Sequence, residues 1–100
     1  MAQLRTTEVD DLLDVLSGMR DQDEIFALLE DLMTIREIKE ISQRLAVAHM
    51  LDEGKPYTAI EKTTGASATT IARVSKALNY GAGGYRRALE VLANRDAGQA

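Results

Sequence analysis

The chain has 100 residues, a net charge of −4, one proline and no cysteine. A chain of this length is expected to form one small domain, and the absence of cysteine excludes a disulfide framework and a thiolate metal site. Residues 1–54 hold five basic and thirteen acidic residues, whereas residues 55–87 hold six basic residues and one acidic residue. This asymmetry predicts that the second half of the chain presents a surface for a polyanion.

Three amphipathic helices are predicted in the first half of the chain. Apolar residues recur at helical spacing in residues 9–16, 25–32 and 35–51. These stripes hold more leucine and isoleucine than one small monomer can bury. We therefore predict that residues 1–54, approximately, form the dimerisation helices of a homodimer.

The third of these helices has clear start and stop signals. Thr34 is followed three residues later by Glu37, which is the spacing of a capping box. Gly54 and Pro56 cannot continue a helix easily, so they are expected to end it.

Residues 57–76 carry the pattern of a helix-turn-helix. Two short helices are predicted over residues 57–64 and 68–78, and Gly65 supplies the positive φ that the tight turn between them requires. The small or apolar residues expected to hold the two helices together are Ile60, Ala66, Ile71 and Val74. Two helices of an ordinary bundle joined by a glycine turn remain the alternative, and the basic charge of the segment favours the helix-turn-helix.

The second helix of this pair is predicted to enter the major groove of DNA. Ser67 is expected to cap its N-terminus through the amide of Thr69 or Thr70. Threonine can hydrogen-bond base edges, arginine can pair with guanine, and lysine can hold phosphate. The predicted DNA-binding residues are Lys55, Tyr57, Thr58, Ser67, Ala68, Thr69, Thr70, Arg73 and Lys76.

A last helix is predicted for residues 85–93, after a glycine-rich break, and residues 94–100 are predicted to be a frayed tail. Residues 1–93 would then form a single all-α domain. Its predicted parts are the dimerisation helices at about 1–54, the helix-turn-helix at 55–78 and the C-terminal helix at 85–93.

The sequence holds no constellation for catalysis or metal binding. His49 is the sole histidine, and we expect it to pack on a helix face. We therefore predict no enzymatic activity, no metal and no cofactor. The first five residues lack the apolar core of a signal peptide, and no apolar run reaches the roughly 20 residues of a membrane span. We expect a cytoplasmic protein without membrane contact.

Much of the chain resembles the Trp repressor family, above all its Trp-repressor-like subfamily called YerC/YecD. The resemblance rests on the sequence IKEISQRLAVAHML, on the GAS-x-x-T-I-x-R-V turn and second helix, and on Leu78-Asn79-Tyr80-Gly81. It covers nearly the whole chain. It implies an all-α, Trp-repressor-like helical bundle that forms an intertwined homodimer, with the helix-turn-helix projecting as a reading head.

The tryptophan corepressor site that the resemblance implies is matched only in part. In the family two arginines sandwich the indole, and Arg73 matches one of them. The second falls on Gln43 in an ungapped alignment, with Arg44 adjacent. Val74 fills a position that the family keeps very small, and Ala77 lacks a hydroxyl that the family uses. We expect no binding of tryptophan, and Arg73 and Arg44 are the nearest candidates for an effector site whose ligand is unknown.

The predicted function is a sequence-specific, DNA-binding transcriptional regulator, a repressor, that acts as a homodimer on double-stranded DNA. Its operator is expected to be nearly palindromic, with half-sites about 34–36 Å apart. The alternative is a protein-interaction adaptor of a transcription complex that uses a Trp-repressor-like fold. Salt-dependent DNA binding distinguishes the two.

Overall fold

The fold is that of a computed structural model, which describes the backbone of residues 5–99 and the side chains of residues 5–98. Across this range the chain forms six helices and no strand, which confirms the predicted all-α class. The helices are α1 Thr7–Gly18, α2 Gln22–Leu32, α3 Ile35–Asp52, α4 Tyr57–Thr64, α5 Ala68–Tyr80 and α6 Gly84–Gln99. None of them is both long enough and apolar enough to span a membrane.

The first two helices begin at side-chain caps. The hydroxyl of Thr6 accepts a hydrogen bond from the backbone N–H of Val9 at 3.3 Å, and the carboxylate of Asp21 accepts one from the N–H of Asp23 at 3.1 Å. Each cap satisfies an N–H group that the first helical turn leaves without an intrahelical partner.

The predicted capping box at the start of α3 is confirmed. The backbone N–H of Thr34 donates to Oε1 of Glu37 at 2.8 Å, and the N–H of Glu37 donates to Oγ1 of Thr34 at 3.1 Å. The backbone N–H of Thr34, followed by its hydroxyl, holds the pKa of Glu37 below its ordinary value. The capping box therefore favours the ionised carboxylate of Glu37 at the N-terminus of α3, where the helix dipole is positive.

The chain divides inside α3 into two compact units, one that ends at Ile38 and one that begins at Lys39. The single domain predicted for residues 1–93 therefore stays a prediction. The second unit contains a buried apolar cluster, which is made of Val47, Ala48, Ile60, Ala66, Ile71 and Val74. Met50, Leu51 and Tyr85 pack against this cluster.

The unit that ends at Ile38 has no buried side chain among its described residues. Its two helices are amphipathic, and their apolar faces are largely exposed in the single chain. Phe26 is 52% exposed, Leu32 is 56% exposed and Ile35, the first residue of α3, is 75% exposed. Apolar faces of this extent are unusual on a free surface.

Two helices are longer than predicted. α5 continues to Tyr80, two residues past the expected end, and α6 continues to Gln99, so residues 94–99 are helical where a frayed tail was expected. The apolar spacing fades after Leu92, but a nucleated helix needs only favourable residues to propagate, and no proline interrupts it. α5 ends at Gly81, where an added Cβ would overlap the carbonyl oxygen of Ala77.

Candidate nucleic-acid interface

The turn between α4 and α5 is closed by Gly65. This residue has φ of 76° and ψ of 3°, which is the left-handed conformation expected for it. Its backbone N–H donates to the carbonyl of Glu61 at 2.9 Å, so α4 ends there. The chain is then free to turn within Gly65–Ser67 and to start a second helix.

Ser67 caps α5, and its partner is Thr70. The hydroxyl oxygen of Ser67 accepts a hydrogen bond from the N–H of Thr70 at 3.2 Å, and the hydroxyl donates to Oγ1 of Thr70 at 3.1 Å. The sequence left Thr69 and Thr70 open as the partner of Ser67, and the structure shows that Ser67 pairs with Thr70. The pairing holds Thr70 at the edge of α5 and fixes the first turn of the helix.

The helix-turn-helix is held by the apolar residues that the sequence predicts. Ile60 and Ile71 are fully buried, and Ala66 and Val74 are each only 3% exposed. All four belong to the cluster that includes Val47 and Ala48 of α3. This packing leaves the opposite side of α5 in contact with solvent.

Eight of the nine predicted DNA-binding residues are exposed, and the ninth, Thr70, is half-buried. Thr69, Ala72 and Lys76 recur every three or four residues along α5, so they lie on one face of it. Tyr80 continues this spacing and is 86% exposed. The predicted end of this helix at residue 78 left Tyr80 out, although its spacing of four from Lys76 places it on the same face.

The basic side chains of this region are available to a ligand. Lys55, Lys62, Arg73 and Lys76 form no ion pair with any of residues 5–98, whereas Arg86, Arg87 and Arg95 pair with carboxylates. Cationic side chains without an ion-pair partner can attract a polyanion without first losing a salt bridge.

A cavity of about 250 Å³ lies beside α5. Its walls come from three helices and are formed by Arg44, Thr70, Arg73, Val74, Ala77 and Tyr85. Arg44 lines this cavity together with Arg73, whereas Gln43 is not among its lining residues. Arg73 lines the cavity while remaining exposed, so it lies at the border between the cavity and the face of α5.

Gln43 has a different environment, which the sequence analysis did not predict. Its Nε2 donates a hydrogen bond to the backbone carbonyl of Thr64, the last residue of α4, at 3.0 Å. The hydroxyl of Thr64 donates to the carbonyl of Ile60 at 2.7 Å and accepts from the N–H of Ala66 at 3.1 Å. A glutamine 21 positions before its partner gives no signal in a single sequence, because only the fold brings the two together.

The described residues contain no group of three or more His, Asp or Glu side chains that could hold a metal ion. His49 lies in the last turn of α3 and is half-buried.

Comparisons with known proteins agree on one family. The family model of the Trp repressor protein matches residues 7–93. The uncharacterized protein YerC of Bacillus subtilis (strain 168) is 46% identical over 88 residues, which are 88% of this chain and 85% of that protein. A TrpR-like protein from Eubacterium eligens has a crystal structure with a TM-score of 0.88 at 43% identity, covering 93% of this chain and 96% of that chain. The crystal structure of a candidate Trp repressor from Staphylococcus aureus has a TM-score of 0.86 at 36% identity, and the match covers 92% of this chain and 92% of that chain.

An all-α chain whose glycine turn joins two short helices over a shared apolar cluster defines a protein of the helix-turn-helix class. This chain belongs to the Trp repressor family and, within it, to the subfamily that YerC represents. The resemblance noted from the sequence is thereby confirmed, and with it a relation to a family of transcription regulators.

Proposed function

We propose that this chain is a sequence-specific, DNA-binding transcriptional regulator, a repressor that acts in the cytoplasm as a homodimer. The observation that carries the proposal is the exposed face of α5, which combines small side chains, threonine hydroxyls and unpaired cations on a helix anchored by buried residues. A rigid helix with such a face is suited to reading base edges.

The small residues of α5 lie at its N-terminal end. Ala68 and Ala72 project little from the helix, so the backbone can approach the floor of the major groove closely. Thr69 lies between them with its hydroxyl and methyl group available to bases. Arg73 and Lys76 follow Thr69 by about one and two turns, where their longer side chains would reach guanine or the phosphates at the groove edge.

The residues before and at the start of α4 are proposed to hold the DNA backbone. Lys55, Tyr57 and Thr58 are exposed at that end of the helix. They offer a cation and two hydroxyls, which are groups that commonly bind phosphate oxygens. Such contacts fix the register of the protein on the duplex without reading its sequence.

The homodimer is supported by the exposed apolar faces of α1 and α2. Large apolar side chains that remain exposed on a single chain are expected to be buried against another surface. A second copy of the same chain supplies an equally apolar, self-complementary surface. Two copies would present two α5 helices, and the operator would then be nearly palindromic with half-sites one helical turn apart.

Selection of bound duplexes from a random pool, followed by sequencing, tests the proposal. We expect a nearly palindromic consensus, and we expect the affinity for it to fall steeply as the salt concentration rises. A double variant with Arg73→Ala and Lys76→Ala serves as the matched control and should lose the consensus while staying folded. If the wild-type chain enriches no sequence even at low salt, the proposal is wrong and the adaptor interpretation takes its place.

A further inference from the structure

The side chain of Gln43 lies against the turn of the helix-turn-helix. Its Nε2 is 3.0 Å from the carbonyl oxygen of Thr64 and is the nearest atom, at 3.9 Å, to the point where a Cβ on Gly65 would stand. Gln43 belongs to α3, whereas Thr64 and Gly65 belong to the end of α4 and the turn. The hydrogen bond therefore joins the long helix directly to the reading head.

The acceptor of this bond is a group that needs a partner. The last carbonyls of a helix have no intrahelical donor, and the carbonyl of Thr64 is one of them. The hydroxyl of Thr64 is already committed to Ile60 and Ala66. The amide of Gln43 thus completes a small polar network that runs through the whole turn.

The buried contacts between α3 and the helix-turn-helix are apolar. Val47 and Ala48 pack against the buried side chains of α4 and α5. The free energy of apolar burial depends on the area removed from water and has no preferred direction. A hydrogen bond is directional, because its donor and acceptor must be aligned.

We propose that Gln43 is a positioning residue, which fixes the direction of α5 relative to α3 through the carbonyl of Thr64. This inference rests on the proposed function, since the direction of α5 matters only if α5 reads DNA. An α5 of 13 residues is about 18 Å long. A tilt of about 10° would move its far end by about 3 Å, which is close to the spacing of one base pair along a strand.

Two variants remove the proposed contact in different ways. Gln43→Glu keeps the shape of the side chain, but a carboxylate cannot donate to a carbonyl. Gln43→Ala removes the side chain altogether and serves if the glutamate variant does not fold. Thr64→Val is the matched control, because it deletes the hydroxyl and its two hydrogen bonds but retains the backbone carbonyl that receives Gln43.

The first measurement uses the free protein and does not depend on DNA binding. Residual dipolar couplings of backbone amides report the directions of α3 and α5 in one alignment frame. We expect one alignment tensor to fit both helices in the wild type and in Thr64→Val, and we expect the tensor of α5 to diverge from that of α3 in both Gln43 variants. Equal tensors in Gln43→Glu and the wild type would overturn the inference, whatever happens with DNA.

The second measurement uses the selected duplex and copies of it with the half-sites one base pair closer or farther apart. We expect the Gln43 variants to bind the selected duplex about 5–30-fold less tightly, because a misdirected α5 loses some of its base contacts. We also expect these variants to discriminate less between duplexes that differ in half-site spacing. Thr64→Val should lower the melting temperature and leave the discrimination unchanged. Unchanged discrimination in Gln43→Ala would contradict the positioning role, whereas failure of the wild type to select any duplex would contradict the proposed function instead.

Discussion

Arg73 occupies a position shared by two surfaces. It is exposed on α5 beside the residues proposed to read DNA, and it also lines the cavity that Arg44 and Tyr85 complete. Its guanidinium presents five donors in a planar fork, which suits the paired acceptors of guanine. The proposed role of Arg73 in DNA reading can be tested apart from folding, because the side chain is not part of the buried cluster.

Replacement of Arg73 by alanine should weaken specific binding without unfolding the protein. Loss of a bidentate contact to guanine costs about 1–3 kcal/mol and relaxes the preference at one base position. Titration of the selected duplex and of single-base variants measures both effects. Lys76→Ala is the comparison, since loss of a phosphate contact should weaken all duplexes alike and reduce the salt slope by about 1 for each contact. Unaltered affinity of Arg73→Ala would show that the reading face lies elsewhere.

Replacement of Ile71 is expected to destabilise the folded protein, unlike replacement of Arg73. It is fully buried in the cluster that also contains Ile60 and two residues of α3, and it lies two positions before Arg73 in the sequence. Ile71→Ala would leave a cavity in this cluster and should lower the free energy of unfolding by about 2–5 kcal/mol. Urea denaturation followed by circular dichroism measures the change. A loss below about 1 kcal/mol would mean that this cluster does not stabilise the head.

At the scale of single elements, the start of α3 should respond to acid. The hydrogen bonds from Thr34 lower the pKa of Glu37 in the folded state. Their stabilising contribution is therefore complete above the unfolded pKa, about 4.3, and is lost as the pH falls through the folded value. Titration of the Glu37 carboxyl by NMR should give a midpoint below that of an unfolded reference peptide. Thr34→Ala removes the hydroxyl and should bring the midpoint closer to the reference.

The elements around the cavity lead to a prediction about tryptophan. Arg44 lines the cavity beside Arg73, so two arginines are present there. The prediction now rests on Val74, which narrows the cavity, and on Ala77, which offers no hydroxyl. An extra isopropyl group in a packed site costs about 1–3 kcal/mol.

We expect the affinity for the selected duplex to change less than twofold when millimolar L-tryptophan is added. A gel shift with and without the amino acid measures this, and isothermal titration checks for binding. Val74→Gly with the same additions is the informative variant, since it restores the small residue that the family resemblance implies. A tenfold gain in the affinity of the wild type for the selected duplex in the presence of tryptophan would contradict the prediction.

Local signals in the sequence predicted the helices well where capping and spacing coincide. The capping box at Thr34 and the positive φ at Gly65 are confirmed, because each depends on residues adjacent in the chain. The end of α6 was placed six residues early, since helix propagation needs no apolar pattern. The hydrogen bond of Gln43 and the place of Tyr85 in the cavity wall were not predicted, for a different reason. Both depend on residues that are far apart in sequence and meet only through the fold.

For the whole molecule, we predict that the chain sediments as a dimer at micromolar concentration. Phe26→Glu should shift the equilibrium toward the monomer, because it introduces a charge on the exposed apolar face of α2. Ala27→Glu introduces the same charge on the polar face of α2 and should leave the dimer intact. Sedimentation equilibrium measures the oligomeric state of all three proteins, and a monomeric wild type at micromolar concentration would contradict the prediction.

The uneven division of charge has a consequence for the rate at which the proposed regulator would associate with DNA. Residues 55–87 carry six basic residues against one acidic residue, while residues 1–54 carry thirteen acidic residues against five basic ones. A duplex would be attracted by residues 55–87 and repelled by residues 1–54, so contact through the basic segment would be favoured before any hydrogen bond forms. The association rate constant should therefore carry much of the salt dependence of DNA binding, while the acidic segment would weaken non-specific adhesion to nucleic acid.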